Sequence, residues 1–229
     1  HICRDDARLD ILLKALAFFA PDLKVADFPA WDCLPYDRVS PIADITARRL
    51  NTLKSLIDEA RLPKIVVTTL SAITQRIPPR SFIQSSTMRI AVGEIIDRDA
   101  LVQFFVRNGY MHAETVRETG EYAIRGGIID IFCPGEHDPL RLDFFGEQVE
   151  TIRCFDAVTQ RSKTTREDLN LQPISEASLD KDSISLFRAR YRSAFGIPCA
   201  NDVVYEAVSA GQRPPGFEHW LPFFHEKLE

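Results

Sequence analysis

The sequence predicts an α/β protein that carries a small inserted α+β domain. The first third alternates helix-like and strand-like stretches, the order that is typical of α/β layers. The middle of the chain reads as one helix followed by several short strands, and helical spacing returns after residue 172. We therefore expect an α/β part at residues 1–87, an α+β domain at 88–172 and a helical, aromatic-rich return to the α/β part at 173–229.

In the first third, the stretch RLDILLKALAFF has apolar residues at helical spacing, and Pro21 ends that helix. LKVADF follows as a short strand. The run KIVVTTLSAI lacks polar alternation, which predicts a strand that is covered on both faces.

Residues 38–60, RVSPIADITARRLNTLKSLIDEA, predict a second helix, with Ser40 as the N-cap and Pro41 at the first helical position. The predicted apolar face comprises Ile42, Ile45, Leu53, Leu56 and Ile57. The predicted solvent face comprises Arg48, Arg49, Lys54 and Asp58.

The middle part opens with the strand MRIAVGEIID. Asp97 is the expected N-cap of the helix RDALVQFFVRNGY, which Gly109 ends in the left-handed conformation. Strands then follow at YAIRGGIIDIF, PLRLDFFGE and VETIRCFD. Gly126 and Gly127 interrupt the first of these, and they indicate a bulge or a close backbone approach.

In the last part, Asp180 or Asp182 is expected to cap a helix over SISLFRARYRSAF, and Gly211 to close a helix over NDVVYEAVSAG. The segment PPGFEHWLPFF is expected to pack many aromatic rings irregularly.

The charge distribution disfavours direct nucleic-acid binding. The net charge is −5, and residues 88–172 carry 10 basic and 15 acidic side chains. A nucleic-acid module normally shows a basic excess. No apolar run reaches the roughly 18 residues that span a bilayer, and the start HICRDDARLD predicts no signal peptide.

Known catalytic and metal-binding patterns are missing from the sequence. The five cysteines, Cys3, Cys33, Cys133, Cys154 and Cys199, show no C-x-x-C spacing, so we expect free thiols in a cytoplasmic protein. His219 and His225 are expected in packing or surface roles rather than as metal ligands. The chain has no Gly-Lys dipeptide and hence no P-loop. The residues thus favour a binding module without a cofactor over an enzyme.

Two arginines and a phenylalanine form the candidate binding site. In PLRLDFFGE, alternation places Leu140, Leu142 and Phe144 on the core face, which leaves Arg141 and Phe145 on the other face. Arg125 lies on a neighbouring strand, although a bulge at the glycines leaves its face open. Arginine and aromatic residues are enriched in interface hot spots. In the alternative interpretation, Arg141 pairs with Asp143 or Glu147, and Phe145 only covers the hairpin edge.

Several long motifs carry a family resemblance. FPAWDCLPYDRVSP, ITARRLNTL, EYAIRGGIIDIF and RLDFFGEQVETIRCFD closely resemble the N-terminal part of the bacterial transcription-repair coupling factors, Mfd. The similarity extends from Cys3 to PPGFEHWLPFF, and the same region is related to the excision-repair protein UvrB. The W-D-x-L-P-Y-D motif and the two arginine-bearing strands resemble the coupling factors more.

The resemblance implies a UvrB-like, helicase-type (RecA/P-loop-type) α/β domain that is degenerate, begins upstream of His1 and holds an inserted UvrA-binding domain. It assigns UvrA binding to Arg125, Arg141 and Phe145. It implies that the full-length protein binds RNA polymerase and double-stranded DNA through downstream domains, drives DNA translocation with ATP and Mg, and masks the UvrA site with its C-terminal domain. We expect neither catalysis nor a cofactor in this chain.

Two other functions remain open from the residues alone. One is a fragment of an active UvrB-type helicase whose P-loop precedes His1. The other is a DNA-binding module with a local arginine patch, whose affinity would fall steeply with added salt.

Overall fold

The computed structural model describes residues 1–34, 37–58, 63–196 and 202–229. Pro35 and Tyr36 of the W-D-x-L-P-Y-D motif, the predicted helix end at 59–60, and Cys199 lie outside the described residues. Within these ranges, the fold mixes helices with three separate sheets and is of the α/β class.

The first part contains a parallel three-stranded sheet of β1 (Ile2–Cys3), β2 (Val25–Phe28) and β3 (Ile65–Thr69) in the order β1-β3-β2. Helices α1 (Asp6–Phe19) and α2 (Ala43–Ile57) connect the strands. The short helices α3 (Leu70–Ile73) and α4 (Arg80–Ser85) follow. Val67 of β3 packs with Leu9, whereas Val66 packs with Leu50, which confirms that both faces of β3 are covered.

Three expectations for α2 are wrong: the cap at Ser40 with Pro41 at the first helical position, the exposure of Arg49, and the burial of Ile42 and Leu56. The helix begins at Ala43 with Ile42 as its N-cap, because the Ser40 hydroxyl instead accepts a hydrogen bond from the Gly216 N–H at 3.1 Å. Arg49, expected on the solvent face, is 0 % exposed. Its position three or four residues from Thr46 and Leu53 places it on the buried face, while Ile42 and Leu56 are exposed.

The middle part contains two sheets. Strands β4 (Met88–Ala91) and β11 (Asp168–Leu171) are the first and last strands of the middle part, and they pair with each other. The second sheet has six strands in the order β10-β9-β8-β7-β6-β5. These strands are β5 (Met111–His112), β6 (Glu121–Arg125), β7 (Ile128–Ile131), β8 (Leu140–Phe145), β9 (Gln148–Phe155) and β10 (Ser162–Arg166). Both sheets are antiparallel except where β5 pairs with β6 in parallel.

Helix α5 (Arg98–Arg107) packs on the inner face of the six-stranded sheet. The Asp97 carboxylate accepts hydrogen bonds from the N–H groups of Asp99 and Ala100, which confirms the predicted cap. Gly109 follows the helix with a φ of 95°, as predicted. Phe104 and Phe105 of α5 meet the inward side chains of the sheet in the largest apolar cluster of the described residues.

Residues 121–132 form a hairpin rather than the single interrupted strand that the sequence indicates. Gly126 and Gly127 are the two-residue turn, and Arg125 pairs with Ile128 across it. Gly126 adopts a φ of 59°, a conformation that glycine tolerates and hairpin turns require. The predicted close approach at Gly127 is confirmed, because an added Cβ would lie 2.9 Å from the Phe144 carbonyl oxygen.

The last part contains α6 (Lys181–Phe195), α7 (Val203–Ser209), a 3-10 turn (Phe217–Trp220) and α8 (Leu221–Phe224). Asp180, and not Asp182, caps α6 by accepting from the Ser183 N–H at 2.8 Å. The predicted aromatic packing is present: the rings of Phe187 and Phe224 stack with centroids 4.8 Å apart. No helix among the described residues is long and apolar enough to cross a membrane.

Candidate protein-docking site

The outer face of the six-stranded sheet, opposite α5, carries the candidate site. Strand register places Asp130 of β7 beside Arg141 of β8, and Arg141 beside Arg153 of β9. The neighbouring row contains Arg125, Ile128 and Asp143. Because directly paired residues point to the same side of a sheet, these side chains share one surface, which we call the docking face.

Arg141 is held by two hydrogen bonds to one carboxylate. Its Nε lies 2.7 Å from Oδ1 of Asp130 and its Nη2 lies 2.8 Å from Oδ2. The side chain of Asp130 is 0 % exposed and that of Arg141 is 15 % exposed. The guanidinium also lies over the Phe155 ring, 4.6 Å from the centroid. The hydrogen bond to Asp130 raises the pKa of Arg141 above its ordinary value.

Arg125 binds the same carboxylate from the other side. Its Nη2 donates to Oδ2 of Asp130, and its side chain is 49 % exposed. Arg98 of α5 supports this end of the hairpin by donating from Nη2 to the Gly126 carbonyl at 2.5 Å. The hairpin geometry therefore answers the question that the sequence left open: Arg125 lies on the same face as Arg141.

A second ion pair lies in the adjacent positions of the docking face. Nη2 of Arg153 donates to Oδ2 of Asp143 at 2.5 Å, and the Thr151 hydroxyl donates to the same oxygen at 2.5 Å. Asp143 thus forms its ion pair with Arg153, and Arg141 forms its ion pair with Asp130. The alternative in which Arg141 pairs with Asp143 or Glu147 is therefore wrong.

Phe145 projects from the end of β8 with 76 % of its surface exposed. Along β8, Leu140, Leu142 and Phe144 are buried, which confirms the predicted alternation. Phe145 thus lies on the same side as Arg141 and next to the turn at Gly146. The structure brings all three predicted site residues to one face.

Sequence reasoning missed Asp130 and Arg153. In IIDIF, Asp130 is the polar residue in an apolar strand, and a buried carboxylate normally requires cationic partners. That signal could have paired Asp130 with Arg125 and Arg141. Among the described residues, no group of three or more histidine, cysteine, aspartate or glutamate side chains is arranged to hold a metal ion.

Comparison with known proteins shows which sequences this chain is similar to. Residues 88–176, which contain α5 and the whole six-stranded sheet, match the family model described as UvrB interaction domain. The chain is 38 % identical to the transcription-repair-coupling factor of Escherichia coli over 208 residues, which cover 90 % of this chain and 18 % of that protein. The corresponding protein of Haemophilus influenzae is 34 % identical over 224 residues, 97 % of this chain and 19 % of the relative.

The transcription-repair-coupling factor of Myxococcus xanthus is 34 % identical over 187 residues, 78 % of this chain and 15 % of the relative. The middle part of the chain is thus similar to UvrB interaction domains. The chain as a whole is a homologue of the transcription-repair-coupling factors and spans about one fifth of the length of the curated relatives that it matches.

Proposed function

We propose that this chain is a noncatalytic module that recruits UvrA, with Arg125, Arg141 and Phe145 as the binding residues. The observation that carries the proposal is the convergence of both arginines on Asp130 beside the exposed Phe145, on a UvrB interaction domain. Arginine and aromatic side chains are the residue types that most often dominate binding energy.

The exposure of each arginine suggests its role in binding. Arg125 is half exposed and, in the contacts of the described residues, uses Nη2 for Asp130, so its remaining N–H groups face a partner carboxylate. Nε and Nη2 of Arg141 donate to Asp130 and hold its carboxylate in place. Nη1 is then the group of Arg141 that would donate to UvrA. Phe145 would fill an apolar pocket on UvrA.

Local charge supports a protein partner over nucleic acid. The docking face has three arginines, Arg125, Arg141 and Arg153, against the carboxylates of Asp130 and Asp143. Residues 88–172 as a whole nevertheless carry a net charge of −5, which opposes the phosphate backbone at longer range. A small cationic area in an acidic domain suits a localised acidic patch on a protein.

The remaining assignments are also proposals. The parallel sheet β1-β3-β2 with its helices supports a degenerate helicase-type α/β domain, and the sequence offers no P-loop for ATP. In the whole protein we assign ATP-driven translocation, RNA polymerase and double-stranded DNA to other domains, and masking of the docking face to the C-terminal domain. The free cysteines of the described residues suit the reducing cytoplasm.

Calorimetric titration of this chain with purified UvrA tests the proposal. We expect the parent chain to bind and Arg125→Ala to weaken binding by about 2–5 kcal/mol. Phe145→Ala should cost about 2 kcal/mol. Matched controls are Arg89→Ala, which removes an exposed arginine of β4, and Phe19→Ala, which removes an exposed ring of α1.

Absence of binding by the parent chain would overturn the proposed function. Equal affinities for the parent chain, Arg125→Ala and Phe145→Ala would leave UvrA as the partner but place the site elsewhere. Tight binding of double-stranded DNA that falls steeply with salt would favour the DNA-binding alternative.

A further inference from the structure

Phe145 is one end of an exposed row of side chains that continues onto a segment outside the six strands and ends there in a second apolar residue. Phe145 pairs with Gln148 of β9, and Gln148 forms an antiparallel bridge with Ile95 on its other side. Side chains of directly opposed residues point the same way, so Phe145, Gln148 and Ile95 share the docking face.

The segment that carries Ile95 is fixed to the edge of β9 by backbone hydrogen bonds. The Gly93 N–H donates to the Val149 carbonyl at 2.8 Å, and the Val149 N–H donates to the Glu94 carbonyl at 3.0 Å. The Ile96 N–H donates to the Glu147 carbonyl at 2.8 Å. Two of these hydrogen bonds precede Ile95 in the sequence and one follows it. They fix the backbone of Ile95 and thereby the direction of its side chain.

The Gln148 side chain reinforces this arrangement. Its Nε2 donates to the Gly93 carbonyl at 3.1 Å, so the amide lies along the segment. Ile95 is 73 % exposed and Phe145 is 76 % exposed, and both keep their apolar surface in water. Two strand spacings separate them, roughly 10 Å.

A protein partner could bury the exposed side chains of Ile95 and Phe145. A single exposed apolar residue is ordinary, but two large ones in one row beside paired arginines form a local patch. Transfer of such side chains out of water stabilises a complex in proportion to the apolar surface that is buried. The row is continuous with the site of Arg125 and Arg141, which gives the patch and the arginines a common occupant.

We propose that Ile95 is a second apolar anchor for UvrA, received by the same apolar strip that takes Phe145. The charges around the row define the strip. Toward Arg125 and Arg141 it should be bordered by carboxylates. The inference rests on the proposed UvrA recruitment.

The test is a UvrA titration of Ile95→Ala and Ile95→Thr beside the parent chain. Both variants keep the backbone pairing, and the threonine keeps the β-branched shape while it replaces a methyl-bearing branch with a hydroxyl. We expect each to bind about tenfold more weakly. The matched control is Val158→Ala, which removes a more exposed β-branched side chain from the turn between β9 and β10, at the opposite end of β9.

A double variant separates this proposal from the proposed function. If Ile95 and Phe145 enter one strip, the loss in Ile95→Ala/Phe145→Ala should differ measurably from the sum of the single losses. If the parent binds and Arg125→Ala weakens binding while both Ile95 variants bind normally, the second anchor is wrong and UvrA recruitment stands. If the parent does not bind, UvrA recruitment itself is wrong, and the second anchor is wrong with it.

Discussion

Arg141 and Asp130 form a bidentate ion pair, with 2.7 and 2.8 Å between the paired atoms, on the docking face. Asp130 has no exposed side-chain surface, and Arg125 donates to it as well. A carboxylate in such a place is stable only with its cationic partners, because an uncompensated buried charge is costly. The two arginines proposed for binding are therefore also structural residues, and to unequal degrees.

Arg141→Ala should destabilise the chain more than Arg125→Ala does. The first change removes two hydrogen bonds from a buried carboxylate and should lower the free energy of unfolding by about 3–5 kcal/mol. The second removes a half-exposed partner and should cost about 1 kcal/mol. Urea denaturation of both variants measures the difference.

Asp130→Asn provides the check on this prediction. It keeps the side-chain shape but removes the charge, so it should destabilise the chain although both arginines remain. Equal unfolding midpoints for Arg141→Ala and Arg125→Ala would show that the ion pair at Arg141 contributes little. In that case the two arginines would be equivalent probes of the proposed UvrA binding.

The site could be predicted from the sequence in part. The two-residue period of β8 is sufficient to place Arg141 and Phe145 on one face. It does not reveal Asp130, because a strand pairing between β7 and β8 had to be known before the three side chains met. The face of Arg125 depended on whether the glycine pair was a bulge or a hairpin turn, and only the paired register decides that.

The fold shows the same division between local and long-range information. Asp97 was predictable as a cap, and the α6 cap could be narrowed to Asp180 or Asp182, because a cap acts within three residues. The predicted cap at Ser40 failed because its hydroxyl bonds to Gly216, which is distant in the sequence. Arg49 was assigned to solvent by its charge, although its helical position is on the buried face. Its partner, Glu176, is 127 residues away, so no local pattern shows the compensation.

Arg49→Ala should be among the most destabilising single changes in this chain. Nε of Arg49 lies 2.5 Å from Oε1 of Glu176, and both side chains are 0 % exposed. Alanine would leave the Glu176 carboxylate buried without that cation and lower the free energy of unfolding by about 3–5 kcal/mol. Equilibrium denaturation in urea measures the loss.

The neighbouring arginine is the matched control. Arg48 pairs with Asp27, but both side chains keep contact with water, so Arg48→Ala should cost about 1 kcal/mol. The double change Arg49→Met/Glu176→Gln should recover part of the loss, since it removes both buried charges together. Similar midpoints for Arg48→Ala and Arg49→Ala would contradict this account of the buried pair.

Cys133 should be the slowest to react of the three thiols Cys33, Cys133 and Cys154. Burial raises its pKa to about 12, and the thiolate is the reactive form. At pH 8, iodoacetamide should modify the half-buried Cys154 well before Cys133, as measured by peptide mass spectrometry. In denaturant the difference should disappear. Modification of native Cys133 at the rate of Cys154 would contradict its burial.

His225 should make the chain less stable in mild acid. Burial lowers the pKa of His225 below its ordinary value of 6.5, and the nearby charge of Arg190 acts in the same direction, while Glu176 and Asp180 oppose it. The folded state thus favours the neutral ring, whose Nε2 lies 2.8 Å from the Glu176 carbonyl. As pH falls below 6.5, the unfolded chain takes up the proton first, so the free energy of unfolding decreases.

Thermal unfolding midpoints between pH 7.5 and 5.5 should fall for the parent and for the exposed control His137→Gln, but much less for His225→Gln. The carboxylates with lowered pKa, such as Asp156 at about 2, titrate well below this range. An unchanged slope in His225→Gln would assign the pH dependence to another group.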